Sequence, residues 1–412
     1  MDPFQQLPTE ILYLIIPQIR DFVGLDSLLQ LSPRVRAIFS KDPVAIAEDA
    51  LLSCSITSDK ILELFQEDAL IRSPSSHFPN LQAYAAHASS FNKADFRLHY
   101  AGRPSSELYF VMRDMVRVAA HIQRLACACL SDMLHKLHLA AHANPALPKS
   151  AQTAAIRKPS WVEEYRIYRA IWHLHLVADL HKASRKDAVP GTSSNTSWGG
   201  WDWSPQESQQ VKGWYSMERI ARTFMITEAR AVSQVLLTIT GTENHDTPLY
   251  ADQIPLYPSP QIGEPAGRPI WCPPPLPRNT AIEKTWHQSI SYAQRGGTAQ
   301  WNTFRMVRNS NAAIEPARIP ALDPTSKELL LLHYLGIFFW DRWRVHCLGL
   351  VFNHPHEKQL IPDGEGVFRD LESYTAETEI PERWNALIQK AFEGDKMISS
   401  DGPSGGKQHG ER

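Results

Sequence analysis

The sequence predicts an all-α fold, and three observations carry that expectation. Apolar residues recur at three- and four-residue spacing along most of the chain, helix-start signals of the Ser/Asp-Pro or Ser-x-x-Glu type repeat, and alternating strand patterns are nearly absent. With 412 residues the chain can hold one large domain or two to three ordinary ones, so a sizeable core is available.

The first element is "LPTEILYLIIPQI", residues 7–19. Thr9 is placed to cap a helix whose apolar stripe is Ile11, Leu12, Ile15, Ile16 and Ile19, with Glu10, Gln18 and Asp21 toward water and Tyr13 and Leu14 off the stripe. Pro17 lacks an amide donor and clashes with the carbonyl four residues back, so the helix is expected to kink or end near Ile16, and Gly24 to mark a turn. Leu25, Leu28, Leu29 and Leu31 give a second apolar face, and "SPRVRAIF" starts a third helix with Ser32 as cap and Pro33 first. Three short helices in about forty residues cannot bury their own apolar faces. Either the rest of the chain or another polypeptide covers the excess.

Further helices follow. "KDPVAIAEDALLS" has Asp42 before Pro43, and "TSDKILELFQEDALI" has Ser58 before an aliphatic stripe. Residues 105–143 carry a helical apolar period without internal Pro or Gly, as a central core helix would. In "SWVEEYRIYRAIWHLHLVADL", Ser160 and Glu163 form a capping box, with Glu163, Arg166 and Arg169 expected to pair along a narrow wet face. Another helix is expected over about 207–239, and Thr325 with Glu328 opens a last one through "SKELLLLHYLGIFFWDRWRVHCLGLVF". Two long loops, about 184–206 and 241–279, separate these elements, and a tail over 394–412 is expected to be disordered.

Charge narrows the function classes. The 42 Lys and Arg nearly balance 44 Asp and Glu, for a net charge of -2, and they are interspersed, which argues against nucleic acid or an acidic membrane surface as partner. The five cysteines, Cys54, Cys127, Cys129, Cys272 and Cys347, have no framework spacing and suggest a reducing compartment. No stretch has the roughly 18–20 apolar residues of a membrane span. Residues 7–19 do not read as a signal peptide, because Asp2, Glu10 and Pro17 interrupt that pattern.

The opening block resembles an F-box. Leu7, Pro8, Glu10, Ile11 and Leu12 match its L-P-x-E-I-L start, and Leu25, Leu28, Leu31, Ser32 and Arg36 fall where the rest of its signature places them. The departures are Pro17 within the first helix, and Leu31 and Val35 where the family often has Val and Trp. The "EEYRIYRAIW" and "FFWDRWRVHCL" blocks are similar to helices of many fungal F-box proteins. The resemblance implies an F-box domain over 3–45 and a helical, substrate-recruiting domain over 46–393. It implies that Leu7, Pro8, Ile11, Leu12, Ile15, Ile19, Leu25, Leu28, Leu31 and Arg36 meet a Skp-type adaptor and, through it, a cullin. The expected role is that of an SCF-type ubiquitin ligase substrate receptor in the cytoplasm or nucleus, without cofactor or catalytic residue. An adaptor-bound scaffold without ligase activity, or an enzyme fused to an F-box, are the alternatives.

Other constellations in the sequence also have simpler structural explanations. His135, His138 and His142 share a helix face but lack a fourth ligand or second shell for zinc, and Cys127 with Cys129 has the wrong spacing for a C-x-x-C site. His173 with His175, and His346, Cys347, His354 and His356, lack a defined geometry for metal. No nucleophile elbow, P-loop or dinucleotide fingerprint occurs. Asp341 and Arg344 form either a structural ion pair or a polar hook for substrate, and Trp198, Trp201 and Trp203 either plug a groove or anchor a partner. "PPPLPR" at 273–278 has the composition of a polyproline ligand or of a stiff connector, and the Asn195 sequon has no secretory context.

Overall fold

The computed structural model describes residues 2, 4–90, 100, 102–142, 152, 155–185, 200–214, 228–229, 231–236, 271, 273, 327–348, 350, 361–362, 368–369, 383 and 386–387. The fold is mostly helical. Among the described residues the sole strand pairing is a two-residue antiparallel contact, Ile361–Pro362 against Phe368–Arg369. No helix among them is long and apolar enough to cross a membrane. The chain forms two compact units, Met1–Asp132 with Pro159–Gly296, and Met133–Lys158 with Gly297–Arg412. The first helices and the helices that follow them fall within the same first unit.

In the first unit, α1 spans Thr9–Ile15 and passes into a 3-10 turn, Ile16–Gln18, with Pro17 at its start. The helix thus ends where the missing Pro17 amide requires. Its N-cap is Pro8, not Thr9; the Thr9 hydroxyl instead accepts from Arg34 Nη2 at 3.1 Å. Helix α2 is Phe22–Leu31, and Asp21 Oδ1 accepts from the Gly24 amide at 2.6 Å. Gly24 therefore lies inside a helix rather than at a turn. Helix α3, Pro33–Phe39, and helix α4, Pro43–Ser53, start as expected, with Ser32 and Asp42 accepting from the amides of Val35 and Ala45. Helix α5 is Asp59–Ile71, where Ser58 makes no side-chain cap and donates instead to the Tyr165 hydroxyl at 3.1 Å. Helix α6 is Leu81–Ser90 and the uninterrupted α7 is Ser105–His142.

Helix α8, Trp161–Ala183, opens with both halves of the expected capping box. Its wet face does not exist: Glu163, Arg166 and Arg169 are all fully buried. Helix α5 packs along α8, as does α9, Pro205–Trp214, and Arg169 Nη2 reaches Glu228 Oε2 at 2.6 Å. The core is aromatic where α2, α5 and α8 meet, with Phe22 stacked on Phe65 at 5.6 Å and Phe65 edge-on to Trp172 at 5.9 Å. Burying each such side chain contributes roughly 1.5–3 kcal/mol. Of the helix expected over 207–239, the backbone is helical over Pro205–Trp214 and at 228–229 and 231–236; the intervening residues lie outside the described ones.

In the second unit the expected single helix from residue 325 is two. Helix α10 is Lys327–Tyr334 and α11 is Arg342–Cys347. Gly336, at φ 68°, ends α10: its amide donates to His333 O at 2.9 Å and the Ile337 amide to Leu332 O at 3.1 Å. This paired closure needs a residue that enters the left-handed region without penalty, which glycine does. Thr325, the tail over 394–412 and most of the loop over 241–279 lie outside the described residues.

Candidate functional site

Helix α1 has two aliphatic faces. Leu12 and Ile16, one turn apart, are buried in the first unit, while Ile11, Leu14 and Ile15 remain 40%, 67% and 36% exposed. On a helix the last three lie within about 100° of one another, so they form one outward face. Leu31, at the end of α2, is 63% exposed. Arg34 ties this corner to the start of α1, donating from Nη1 to Phe4 O at 2.7 Å and Gln5 O at 3.0 Å and from Nη2 to Thr9. Asp2 closes the same junction by accepting from the Phe4 amide and the Ser32 hydroxyl, each at 2.9 Å. Exposed large aliphatics clustered on one short helix mark an interaction surface more than an isolated one does.

Several residues expected on that surface lie elsewhere. Leu12 and Leu25 are buried in the unit and offer a partner no surface, because they complete the contact with the neighbouring helices. Pro8 is exposed, and Leu7, Ile19, Leu28 and Arg36 are half-buried. Arg36 Nη1 donates to the carbonyls of Leu29 and Gln30 at 3.2 and 3.1 Å, closing the end of α2. Leu14, which the helical stripe excludes, is the most exposed aliphatic of α1; the outward excess of the sequence was its only signal.

These helices are held firmly by the rest of their unit. Gln123 of α7 caps α2 from outside, its Oε1 accepting from the amides of Phe22 at 2.9 Å and Val23 at 3.1 Å. Arg124 lies 3.6 Å from Asp26, and Phe39 meets Tyr109 edge-on at 6.0 Å.

The tryptophan loop closes on the protein itself. Trp201 and Trp203 are buried; their indoles donate to Ser76 O at 3.0 Å and Phe78 O at 2.6 Å, and their amides to Ala183 O and Ser184 O. Both side chains are buried and their polar edges are bonded within the chain, which leaves no exposed indole at either position. Trp198 and Asn195 lie outside the described residues. Asp341 and Arg344 are also buried, so neither serves as an exposed hook. Asp341 Oδ1 caps α11 by accepting from the Arg344 amide at 2.8 Å, and Arg344 Nη2 donates to the carbonyls of Arg157 and Lys158, each at 3.1 Å.

A buried charge cluster, which the sequence reading did not anticipate, joins α5, α7 and α8. Arg72, the residue after α5, donates from Nε to Asp68 at 3.2 Å, from Nη1 to Asp114, and from Nη2 to Asp179. Its Nη2 also lies 3.0 Å from His175 Nε2. Burial, with the nearby Asp179 carboxylate adding to it, pushes Asp68 up to about 7. Burial acts the same way on Asp179, but Arg72 and His175 outweigh it and hold that carboxyl below its ordinary value. For His175 burial disfavours the charged ring, and the Asp179 and Asp68 carboxylates more than offset it. The signal in the sequence was two i, i+4 pairs, Asp68 with Arg72 and His175 with Asp179, on helices whose proximity no spacing reveals.

Asp68, His175 and Asp179 place one ligand-type atom each within 4.8 Å of one another, the sole such trio among the described residues. The Arg72 guanidinium lies among them and contacts all three, so the cation of this cluster is an arginine of the chain itself. The histidines singled out on α7 form no such trio: His138 and His142 stack at 5.7 Å. Cys54, Cys127, Cys129 and Cys347 are buried, and burial pushes the Cys347 thiol up to about 12, which makes it a poor nucleophile. His354, His356 and residues 274–278 lie outside the described residues. No family model, no curated protein and no solved structure matches this chain.

Proposed function

We propose that this chain is the substrate receptor of an SCF-type ubiquitin ligase, docking a Skp-type adaptor through α1 and its neighbours and, through it, a cullin. The observation that carries the reading is the outward face of Ile11, Leu14 and Ile15, exposed within the very block that resembles an F-box. A surface of this kind is what a partner helix or groove would bury, at roughly 1.5–3 kcal/mol for each aliphatic taken fully from water. The helical body recruits a protein substrate and raises the effective concentration of its lysines near the conjugating enzyme. The chain then supplies position and no nucleophile. The five cysteines, which lack a framework spacing, fit work in the cytoplasm or nucleus.

The test is co-expression with a Skp-type adaptor, comparing the wild type with the double variant Ile11→Asp, Leu14→Asp. Both positions are exposed, so the variant is expected to fold and to lose the adaptor. Undiminished co-purification of the folded variant would refute the docking role. Adaptor recovered without cullin would favour a scaffold over a ligase subunit.

A further inference from the structure

The α5–α7–α8 junction holds more acid than base. Among the described residues, three carboxyls, Asp68, Asp114 and Asp179, face the Arg72 guanidinium, and His175 is a further titratable group in contact with it. Tyr100 also faces it, with its hydroxyl pushed above the ordinary range by burial, and Glu67 beside it accepts from the Tyr84 hydroxyl at 2.6 Å. With all three carboxyls ionised and His175 neutral, the cluster would carry two uncompensated negative charges in a site where Asp68 is completely buried.

Two contacts bear on where a compensating proton sits. Asp68 Oδ1 is buried and accepts no hydrogen bond, which a neutral carboxyl tolerates far better than a carboxylate. Arg72 Nη2 approaches His175 Nε2 at 3.0 Å, a contact that a neutral ring with its hydrogen on Nδ1 accepts, but the same nitrogen lies 3.3 Å from Asp179 Oδ2 and 3.6 Å from Asp68 Oδ2, so the ring is the other group that can hold the proton. We propose that this junction stores one proton on the Asp68 carboxyl, shared toward Asp179, and that its release as pH rises toward neutrality loosens the packing of α5 against α7 and α8. Asp179 stays ionised against Arg72, and the proton goes to solvent.

The sign follows from linkage. A carboxyl that binds its proton more tightly in the folded than in the unfolded chain stabilises the fold fully below the unfolded value of 3.8. That contribution is lost as pH rises through the folded value of about 7. The test compares wild type with Asp68→Asn, an amide of the same shape that has no proton to lose at these pH values. Across about pH 4–7 the unfolding constant of the wild type, taken relative to the variant, should rise by up to about tenfold per pH unit. Asp68→Asn should therefore gain on the wild type as pH rises. Infrared difference spectra of the wild type should show a protonated-carboxyl band at pH 5 that is lost by pH 8 and missing from Asp68→Asn. A constant ratio of the unfolding constants across this range would overturn the proposal. So would a pH-linked ratio without the carboxyl band, which would put the proton on His175. If Asp68→Asn does not fold, the difference spectrum is taken against Asp68→Ser instead, because buried Glu164, pushed up to about 8, also holds a proton at pH 5 and only the loss of the band with residue 68 assigns it.

Discussion

Arg72→Met removes the one guanidinium around which the buried cluster is built and keeps the length of the side chain. At pH 7 the change takes the donor from Asp68 at 3.2 Å and from Asp114 and Asp179. The loss is unequal. Asp68, pushed up to about 7, is already partly neutralised by a bound proton at this pH, and the Asp114 side chain is 21% exposed, so water takes over part of its solvation. Asp179 is nearly buried and has depended on Arg72 to stay ionised, so it carries most of the penalty. Breaking a buried pair by removing one partner costs roughly 3–5 kcal/mol, and we expect a loss in that range at pH 7. The variant relieves it by binding a proton at Asp179. Its folded state then holds more protons than the unfolded chain above about pH 4, and the loss should shrink as pH falls, by up to about 1.4 kcal/mol per unit per proton. Urea unfolding followed by circular dichroism at pH 5, 6 and 7, at constant m, measures this. A loss below about 1 kcal/mol at pH 7, or an equal loss at pH 5 and 7, would refute the account of the cluster as an arginine-centred ion network.

Gln123→Leu leaves the Phe22 and Val23 amides at the buried start of α2 without an acceptor, at a cost of about 1–3 kcal/mol each, and faster hydrogen exchange over residues 19–31 should report it. Gly336→Ala forces alanine into the left-handed region and puts a Cβ 2.8 Å from Met133 Sδ and 2.9 Å from Trp340 Cζ2; together these should cost about 2–4 kcal/mol, read as a lowered Tm. Trp203→Phe removes the indole donor to Phe78 O and part of a buried ring, and proteolysis at residues 73–80 should accelerate if the indole clasps that loop. Leu12→Asp, unlike the exposed pair Ile11 and Leu14, should fail to fold, because Leu12 is a core residue; a soluble, folded Leu12→Asp protein would sink that assignment.

Much of the local structure was legible because its causes are local. Ser32 before Pro33, Asp42 before Pro43, and Ser160 with Glu163 name their helix starts through bonds spanning three residues, and α7 is continuous because no Pro or Gly interrupts its period. Misreadings occurred where one residue type serves two purposes. Gly24 was read as a turn and Gly336 as helix interior, yet only the second adopts a positive φ. Asp341 reads as half of an ion pair in an apolar run and also serves as a helix cap, because the glycine break upstream makes residue 342 a helix start. Glu163, Arg166 and Arg169 suggest a wet face because charge commonly marks solvent, but packing on several sides of α8 buries all three, Arg169 beside Glu228 from a distant segment.

The candidate sites divide in the same way. The sequence by itself determined that the first forty residues hold more aliphatic surface than three short helices can bury, and where the first of those helices ends and the third begins. Only the tertiary structure decided how that surface is shared: Leu12, Ile16 and Leu25 go inward, while Ile11, Leu14, Ile15 and Leu31 stay in water. Helical periodicity fixes the angles between side chains on one helix, but the direction of the core is set by which other helices pack there. The charge cluster has the same origin. Asp68, Arg72, Asp114, His175 and Asp179 come from three helices, and their ionisation depends on mutual distance and burial, quantities that exist only once those helices have met.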